Sequence, residues 1–578
     1  MATGDRSEAE AGGSGIARRA VLKGSALLAG GLAAACATSS VASADLSEAS
    51  RPKEDRDPAV RAGKDTAIVD TRHGKVAGFV RNGIFGFKGL PYAAPTGGEN
   101  RFLPPKAPES WTGVRSSRHY GPVCPQDKGM GRFNDEEAFI FQWNDSVESE
   151  DCLRLNVWTP GLEETAKRPV MVWLHGGAFA AGSGHDLPAF DGENLSRRGD
   201  VVVVTLNHRL NLLGYLDLSA YGDKYAASGN VGMLDIVAAL QWVRDNIKNF
   251  GGDPRRVMIF GQSGGGAKVS TLMGMPAAKG LFHSAAVMSG SFGMVNTPAN
   301  SHRLTELFLK ELGLDATSVQ QLHILPYDTL QRAGDAVMQR ENALFDGYVD
   351  IRKVRNNLTF APVVDGKVLP AWPFKESAPE ISADVPMIIG TTQNEFVTGI
   401  NNPDVMSMTE ADLRERVERA YPGRTKAIIS AFKETAPQAK PFELWSRIAT
   451  GPIRAAAIRQ AKVKAALKQA PAYLYEFTWQ TPILDGRPMA FHCADIPFAF
   501  FNTDRCDTMS GGGADARVLS GSIADAFVNF ARTGNPNHAG LVDWPAYAAA
   551  TSPTMIFDQD VHVSLKVDGQ PLASLGDL

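Results

Sequence analysis

The segment Val257-Met258-Ile259-Phe260-Gly261-Gln262-Ser263-Gly264-Gly265-Gly266 decides the fold. Its apolar start predicts a buried strand, and the glycines that follow predict a sharp turn into a helix. In a G-x-S-x-G turn the serine has a strained backbone, so its hydroxyl projects from the end of the sheet. Side chains at Gly261 and Gly265 would collide with the neighbouring strand and helix. The pattern predicts Ser263 as a nucleophile.

A second glycine loop lies upstream, in Val170-Met171-Val172-Trp173-Leu174-His175-Gly176-Gly177-Ala178-Phe179. Backbone N–H groups can approach an incoming carbonyl oxygen only where side chains are absent or small. We predict that the N–H groups of Gly177, Ala178 and Gly264 form an oxyanion hole, with Gly264 at the positive end of the following helix. The alternative is an ordinary glycine turn after a strand.

A serine nucleophile needs a base, and the chain offers 11 histidines. His492 is predicted as the base because it lies late in the chain, after the strand-like segment 473–479. His175 is the competitor, but its position in the glycine loop favours a role in loop geometry. His283 and His208 are predicted to be structural.

An acid that orients the base is expected between Ser263 and His492, at the end of another strand. The segment Val385-Pro386-Met387-Ile388-Ile389-Gly390-Thr391-Thr392-Gln393-Asn394-Glu395-Phe396 supplies a buried strand and one carboxylate. Glu395 would hold the imidazole in the right tautomer and stabilise its charged form. Asp365 is the alternative, although its Asp-Gly sequence favours a turn.

Taken together, these motifs resemble those of type-B carboxylesterases of the α/β-hydrolase superfamily, a group that includes para-nitrobenzyl esterases, cholinesterases and some fungal lipases. The resemblance runs from about Thr66 to about Phe557. Further landmarks in the same order are Phe87–Ala93, Arg101-Phe102, Glu150–Val157, Asn207–Leu210, Gly229–Asp235, Asn249–Pro254, Pro362–Gly366 and Trp544–Tyr547.

The resemblance implies an α/β fold with a large, mostly parallel central sheet flanked by helices. It assigns residues 66–578 to one domain, with helical insertions at about 301–344 and 409–469 that roof the active site. A Thr409-x-x-Asp412 capping pattern opens the second insertion. Short apolar runs predict buried strands at Val170–Leu174, Val201–Leu206, Val257–Phe260, Ala285–Met288 and Met387–Ile389.

In function, the resemblance implies a serine carboxylic-ester hydrolase that forms an acyl-enzyme through Ser263, His492 and Glu395. Small to medium apolar esters are the expected substrates. The family commonly has Asp-Glu-Gly around the acid, whereas this chain has Asn394-Glu395-Phe396, so we expect Phe396 to change the pocket wall. An interfacial lipase and a non-catalytic binding module of the same fold are the alternatives.

The first residues predict export. Residues 1–44 resemble a twin-arginine signal, with Arg18-Arg19 before an apolar run too short and too rich in glycine and alanine to span a bilayer. Ala42-Ser43-Ala44 predicts cleavage and hence a periplasmic or secreted protein, and a lipid anchor on Cys36 is the alternative. Residues 45–65 predict a flexible leader.

Export would permit disulfides. The resemblance pairs Cys124 with Cys152, whereas Cys493 and Cys506 are open between a second bond and two buried thiols. The segment between Cys124 and Cys152 is acidic with interleaved aromatic residues, and Trp143 is its candidate for a substrate wall. A solvated acidic loop is the favoured interpretation, and the substrate-binding residues are left open.

Composition, charge and motifs also indicate whether the protein binds nucleic acid, a metal or a cofactor. A net charge of −4 and a pI of about 6.3 do not favour nucleic-acid binding. The basic stretch from Arg454 to Lys468 spaces its charges like the exposed face of an amphipathic helix. Scattered histidines without an H-E-x-x-H motif predict no metal, and Gly261–Gly266 lacks the spacing of a dinucleotide loop, so no cofactor is predicted.

Overall fold

A twelve-stranded sheet runs through the residues that the computed structural model describes, which are 59–126, 135–341, 358–565 and 568–576. The predicted export signal, Cys36 and the leader up to residue 58 lie outside them. The strands are β1 (Val60–Arg61), β2 (Ile68–Thr71), β3 (Gly74–Ala77), β4 (Phe79–Arg81), β5 (Ile84–Pro91), β6 (Val114–Ser116), β7 (Arg154–Thr159), β8 (Arg168–Leu174), β9 (Val202–Leu206), β10 (Gly252–Gln262), β11 (Ser284–Met288), β12 (Met387–Thr392), β13 (Ala472–Phe477), β14 (Pro553–Phe557) and β15 (His562–Leu565).

Helices cover the sheet and fill the insertions. They are α1 (Asp135–Phe141), α2 (Glu193–Gly199), α3 (Asn211–Tyr215), α4 (Val231–Asn246), α5 (Gly264–Met273), α6 (Pro298–Glu311), α7 (Tyr327–Glu341), α8 (Glu410–Ala420), α9 (Thr425–Thr435), α10 (Pro441–Ala466), α11 (Ile496–Ala499), α12 (Asp507–Ser510), α13 (Ala514–Thr533) and α14 (Gly569–Ser574). Among the described residues no helix is both long and apolar enough to cross a lipid bilayer.

The strand order is β1-β4-β5-β7-β9-β8-β10-β11-β12-β13-β14-β15, and β2, β3 and β6 form a separate small sheet. Neighbours from β9 through β14 are parallel, whereas the arm from β1 to β9 and the final pair β14–β15 are antiparallel. The predicted α/β class, with its mostly parallel central sheet, is confirmed.

The central stretches of the parallel strands are mostly apolar because both of their faces are buried. In β8, Val170, Val172 and Leu174 belong to one core, which includes residues of α4, α5 and α10. Met171 and Trp173 point to the opposite core, which includes residues of α11 and α13. Each such side chain stabilises the fold by about 1.5–3 kcal/mol on burial. The sheet is therefore held rigidly between two helical layers.

Helices lie within both predicted insertions, although residues 342–344 are outside the described part. In the second insertion Thr409 begins α8 with the predicted capping box. The N–H of Asp412 donates to the Thr409 hydroxyl, and the N–H of Thr409 donates to the Asp412 carboxylate.

The prediction that the basic residues of α10 form an exposed face is wrong for two of them. Arg454 and Lys464 are both buried, 3% and 0% exposed. Arg454 donates to Asp568 at 3.0 Å, and Lys464 donates to the carbonyl oxygen of Ala383 at 2.8 Å. Periodicity shows that charges share a face but not where that face points, and α10 packs against β12, β13 and α14.

The predicted disulfide between Cys124 and Cys152 is not formed in this structure, in which both residues are free, buried thiols. The neighbouring thiol of Cys124 and burial together raise the pKa of Cys152 well above its ordinary value. Protonated neighbours of this kind pack as small apolar groups. Cys493 and Cys506 are free too.

Candidate active site

The nucleophile elbow joins β10 to α5. Ser263 has φ 57° and ψ −123°, a sparsely populated conformation that costs on the order of 1–3 kcal/mol. Its N–H donates to the carbonyl oxygen of Met288 at 2.8 Å, which fastens the turn to β11. A side chain at Gly265 would collide with the carbonyl oxygen of Leu174, so the helix can start close against β8 only with glycine there. Local sterics thus hold the half-buried serine at the end of the sheet.

The glycine loop lies against the start of α5. Gly177 and Ala178 both have positive φ, 77° and 53°, which turns the chain sharply after β8. A Cβ atom added to Gly264 would clash with the backbone of Ala178, so these two segments pack backbone to backbone. Within the described residues no backbone hydrogen bond uses the N–H of Gly177, Ala178 or Gly264. All three predicted oxyanion donors are therefore available.

The base and the acid are in direct contact. Nδ1 of His492 donates to Oε2 of Glu395 at 2.5 Å, and the backbone N–H of His492 donates to the carbonyl oxygen of Glu395 at 2.8 Å. Glu395 follows β12 and is buried, and its Oε1 accepts from the N–H of Thr392 at 3.1 Å. With Nδ1 engaged by the carboxylate, Nε2 is the ring nitrogen that can exchange a proton with a substrate or nucleophile.

Asn394 fixes the distance between the acid and the base. Its N–H donates to the carbonyl oxygen of Ala490 at 3.0 Å, and its Oδ1 accepts from the N–H of Ala490 at 3.2 Å. Its Nδ2 donates to the hydroxyl of Ser446 on α10 at 3.1 Å. The segment before His492 is thereby tied to the segment that carries Glu395 and to the second insertion.

Gln262 brings the elbow next to the base. Its Nε2 lies 3.1 Å from Nε2 and 3.3 Å from Nδ1 of His492, so the amide lies across the imidazole. Cys493 Sγ donates to Gln262 Oε1 at 3.2 Å, which sets the orientation of the amide. No hydrogen bond joins Ser263 Oγ to His492 among the contacts of the described residues. Catalytic hydrogen bonds of this kind often tighten only when substrate binds.

The competing candidates have structural surroundings. His175 is 1% exposed, stacks on His208 at 5.0 Å, and has its Nδ1 3.0 Å from the carbonyl oxygen of Gly176. Burial, followed by the nearby charge of Lys268, lowers the pKa of His175 well below its ordinary value, so the ring is neutral. Asp365 accepts from the N–H groups of Lys367 and Leu369, which is a turn role.

Helix α1 belongs to the acidic segment between Cys124 and Cys152. It contacts residues that lie shortly before His492 in the sequence. Glu136 pairs with Arg487, and its Oε2 accepts from the N–H of Asn401 at 2.7 Å. Phe141 stacks on Trp143 at 4.9 Å and meets Phe491 edge-on at 5.7 Å. Phe141 thus lies between Trp143 and Phe491, the residue that precedes His492. Residues 127–134 of the segment lie outside the described part.

Sequence reasoning missed three groups around the site: Gln262, Lys268 and Asp495. Asp495 accepts from the hydroxyl of Tyr475 at 2.7 Å, and burial raises the pKa of this carboxyl to about 6. The signal for Asp495 was its position three residues after the base. For Lys268 the signal was a charged residue on the first turns of a helix whose other residues are apolar or small.

Comparisons with known proteins agree with this geometry. Residues 65–573 match the family model described as the carboxylesterase family. The chain is 35% identical over 511 residues to the para-nitrobenzyl esterase of Bacillus subtilis (strain 168), covering 86% of this chain and 96% of that protein. It is 33% identical over 490 residues to the phenmedipham hydrolase of Pseudarthrobacter oxydans, covering 83% and 93%. An esterase from Clostridium hathewayi that can hydrolyse aliphatic aromatic polyesters superposes with a TM-score of 0.76 at 36% identity, covering 89% of this chain and 99% of that chain.

Proposed function

Since the chain belongs to the carboxylesterase family and is a serine carboxylic-ester hydrolase, we propose that it works through Ser263, His492 and Glu395 and an acyl-enzyme intermediate. The observation that carries this proposal is the 2.5 Å contact between His492 Nδ1 and Glu395 Oε2, with Gln262 of the elbow lying across the same imidazole. With Nδ1 held by the carboxylate, Nε2 is the nitrogen of His492 that we assign to proton transfer with Ser263.

In the acylation step, Ser263 Oγ attacks the ester carbonyl carbon while His492 Nε2 takes the hydroxyl proton. The carbonyl oxygen becomes an oxyanion, which accepts from the N–H groups of Gly177, Ala178 and Gly264. One such donor stabilises the transition state by about 3 kcal/mol. When the tetrahedral intermediate collapses, the imidazolium of His492 donates its proton to the departing alcohol.

In the deacylation step, a water molecule attacks the acyl carbon while His492 Nε2 accepts one of its protons. The same N–H groups stabilise the second oxyanion. Ser263 Oγ then leaves and recovers its proton from His492, and the acid is released. Glu395 stays ionised throughout and stabilises the imidazolium in both steps.

We propose small to medium apolar esters as substrates, in particular esters with an aromatic portion. Phe396 supports this choice because it is half exposed and its ring lies tilted against the His492 ring, where it offers an apolar surface beside the base. Two similar proteins are named for esters that contain aromatic groups, namely the para-nitrobenzyl esterase and the esterase that can hydrolyse aliphatic aromatic polyesters. An interfacial lipase is the alternative, and it would hydrolyse emulsified long-chain esters faster than dissolved short-chain ones.

The test of the site is labelling with a fluorophosphonate probe, combined with a panel of chromogenic esters varied separately in acyl and alcohol size. We expect the wild-type protein to be labelled and active, and Ser263→Ala to be neither. Labelling or turnover that persists in Ser263→Ala would rule out Ser263 as the nucleophile.

We further propose twin-arginine export to the periplasm or beyond, with either cleavage after Ala44 or lipidation of Cys36, and a Cys124–Cys152 disulfide in the exported protein. Both residues are buried, and Cys124 lies near enough to Cys152 to raise the pKa of that thiol, which supports the pairing. Mass spectrometry of the mature N-terminus and of non-reduced peptides tests each part. An intact N-terminus, or alkylation of both thiols without reduction, would contradict it.

A further inference from the structure

Lys268 places a buried amino group directly behind the elbow. It lies on α5, one helical turn after Gly264, and is 0% exposed. Its Nζ donates to the carbonyl oxygen of His175 at 2.9 Å. Burying an ammonium group is costly unless its charge is compensated. A lysine in this place therefore calls for a reason other than packing.

The contacts of Lys268 bracket the glycine loop. His175 is the first residue after β8, and the ring of Phe179, at the other end of the loop, has its centroid 5.6 Å from Nζ. Between them lie Gly177 and Ala178, whose N–H groups are the proposed oxyanion donors. The third donor, Gly264, belongs to the same helix as Lys268. One side chain thus links the helix that carries one donor to the loop that carries the other two.

The amino group of Lys268 is buried, and the carboxyl of Asp186 is the charged group that acts on its pKa. Burial lowers the pKa of Lys268 to about 7, and the buried carboxyl of Asp186 acts in the opposite direction. The rings of His175 and His208 stack nearby, and burial lowers the pKa of each well below its ordinary value, so both rings are neutral. In such a low-dielectric place a hydrogen bond from the Lys268 amino group to a carbonyl oxygen, whether the amine is neutral or protonated, is stronger than in water.

We propose that Lys268 is a positioning residue for the oxyanion hole. Its bond to the carbonyl oxygen of His175 keeps the N–H groups of Gly177 and Ala178 in register with that of Gly264. This inference rests on the proposed ester hydrolysis and adds a residue to its machinery. Catalytic donors must be held within about 0.5 Å of their productive positions, which is a reason to tether the loop.

A packing role for Lys268 predicts a different outcome from a positioning role. Replacing a buried ion by an apolar side chain of similar volume is often neutral or stabilising. If Lys268 only filled space, Lys268→Met would keep both stability and turnover. If it holds the loop, Lys268→Met keeps or gains stability but loses turnover, because the oxyanion donors are held less firmly.

The experiment compares Lys268→Met, Lys268→Arg and Lys464→Met in the full chain. Lys464 is the matched control because it too is 0% exposed and donates to carbonyl oxygens, those of Ser382 and Ala383, outside the described catalytic contacts. We expect Lys268→Met to lower kcat about 10- to 100-fold with KM nearly unchanged. Lys268→Arg should recover part of kcat, and Lys464→Met should keep it.

A trifluoromethyl ketone, which forms a tetrahedral oxyanion on the serine, supplies the second measurement. Its affinity should fall in Lys268→Met by about the same factor as kcat, because both report the oxyanion state. Unchanged kcat in Lys268→Met, an equal loss in Lys464→Met, or a kcat loss with full ketone affinity would each overturn the proposal. If Lys268→Met does not fold, the same measurements on Lys268→Gln decide. A failure of the triad itself would show separately, as activity in Ser263→Ala.

Discussion

Phe396 covers one face of the imidazole of His492, with ring centroids 3.9 Å apart and planes inclined by 37°. The neighbouring acid, Glu395, holds the edge of the same ring through Nδ1. Two consecutive residues after β12 thus contact the base in different ways, one by charge and one by its aromatic face. Because the ring of Phe396 is also half exposed, it can contact a bound ester.

We expect Phe396→Ala to change substrate preference more than basal chemistry. Removal of an aromatic contact costs about 0.5–1.5 kcal/mol, which corresponds to a drop of roughly 2- to 13-fold in kcat/KM for esters with an aromatic alcohol. Alkyl esters of similar size should lose less. The measurement is kcat/KM on matched aromatic and alkyl esters, with Phe396→Leu as the control that keeps apolar volume. Equal losses on both ester types would contradict an aromatic wall.

The acid is tested by Glu395→Gln, which keeps shape and removes charge. We expect kcat to fall about 10³- to 10⁴-fold with KM little changed, because the imidazolium loses its partner and the ring its tautomer. Asp365→Asn is the matched control, since Asp365 is the other carboxylate considered for this role and accepts from turn N–H groups and from the Asn230 amide rather than contacting His492. A larger loss in Asp365→Asn than in Glu395→Gln would reverse the assignment.

Local sterics and continuous apolar runs explain which parts of the site were predictable. The elbow needs glycine close to Ser263 because a side chain at Gly265 has no room against Leu174. The five consecutive residues of the motif are therefore enough to predict the turn. Continuous apolar runs in the sequence predict the buried strands β8 and β10. The pair formed by Glu395 and His492 followed from chain order and the family resemblance rather than from spacing.

The features that were not predictable depend on partners distant in sequence. The helical pattern of α10 predicts that Arg454 and Lys464 lie on a charged face. Only the packing of neighbouring strands and of Asp568 shows that both side chains are buried. Lys268 is similar, because its acceptor lies 93 residues away in the glycine loop. A single sequence can mark Lys268 as an unusual charge, but it does not identify the distant group that accepts its hydrogen bond.

Arg454 offers a stability test of the buried ion pair. Its guanidinium donates to Asp568 at 3.0 Å and to the carbonyl oxygen of Tyr475 at 2.8 Å. Arg454→Ala should lower the free energy of unfolding by about 3–5 kcal/mol, because it leaves a carboxylate without its cation. Arg419→Ala breaks an exposed pair with Glu415 and should cost no more than about 1 kcal/mol. Chemical denaturation of both variants gives the comparison, and similar costs would contradict the buried role.

The pH dependence of stability gives the last prediction, through Lys268. Burial lowers the pKa of this lysine from its ordinary 10.5 to about 7, so between these values the unfolded chain binds more protons than the folded chain. Stability of the wild type attributable to this group therefore rises with pH across that window. Lys268→Met has no such group, so its advantage over the wild type should be largest at or below pH 7 and vanish towards pH 10.5. Unfolding of both proteins by urea at a series of pH values measures the difference, and a difference that is constant with pH would show that Lys268 keeps its ordinary pKa in the folded protein.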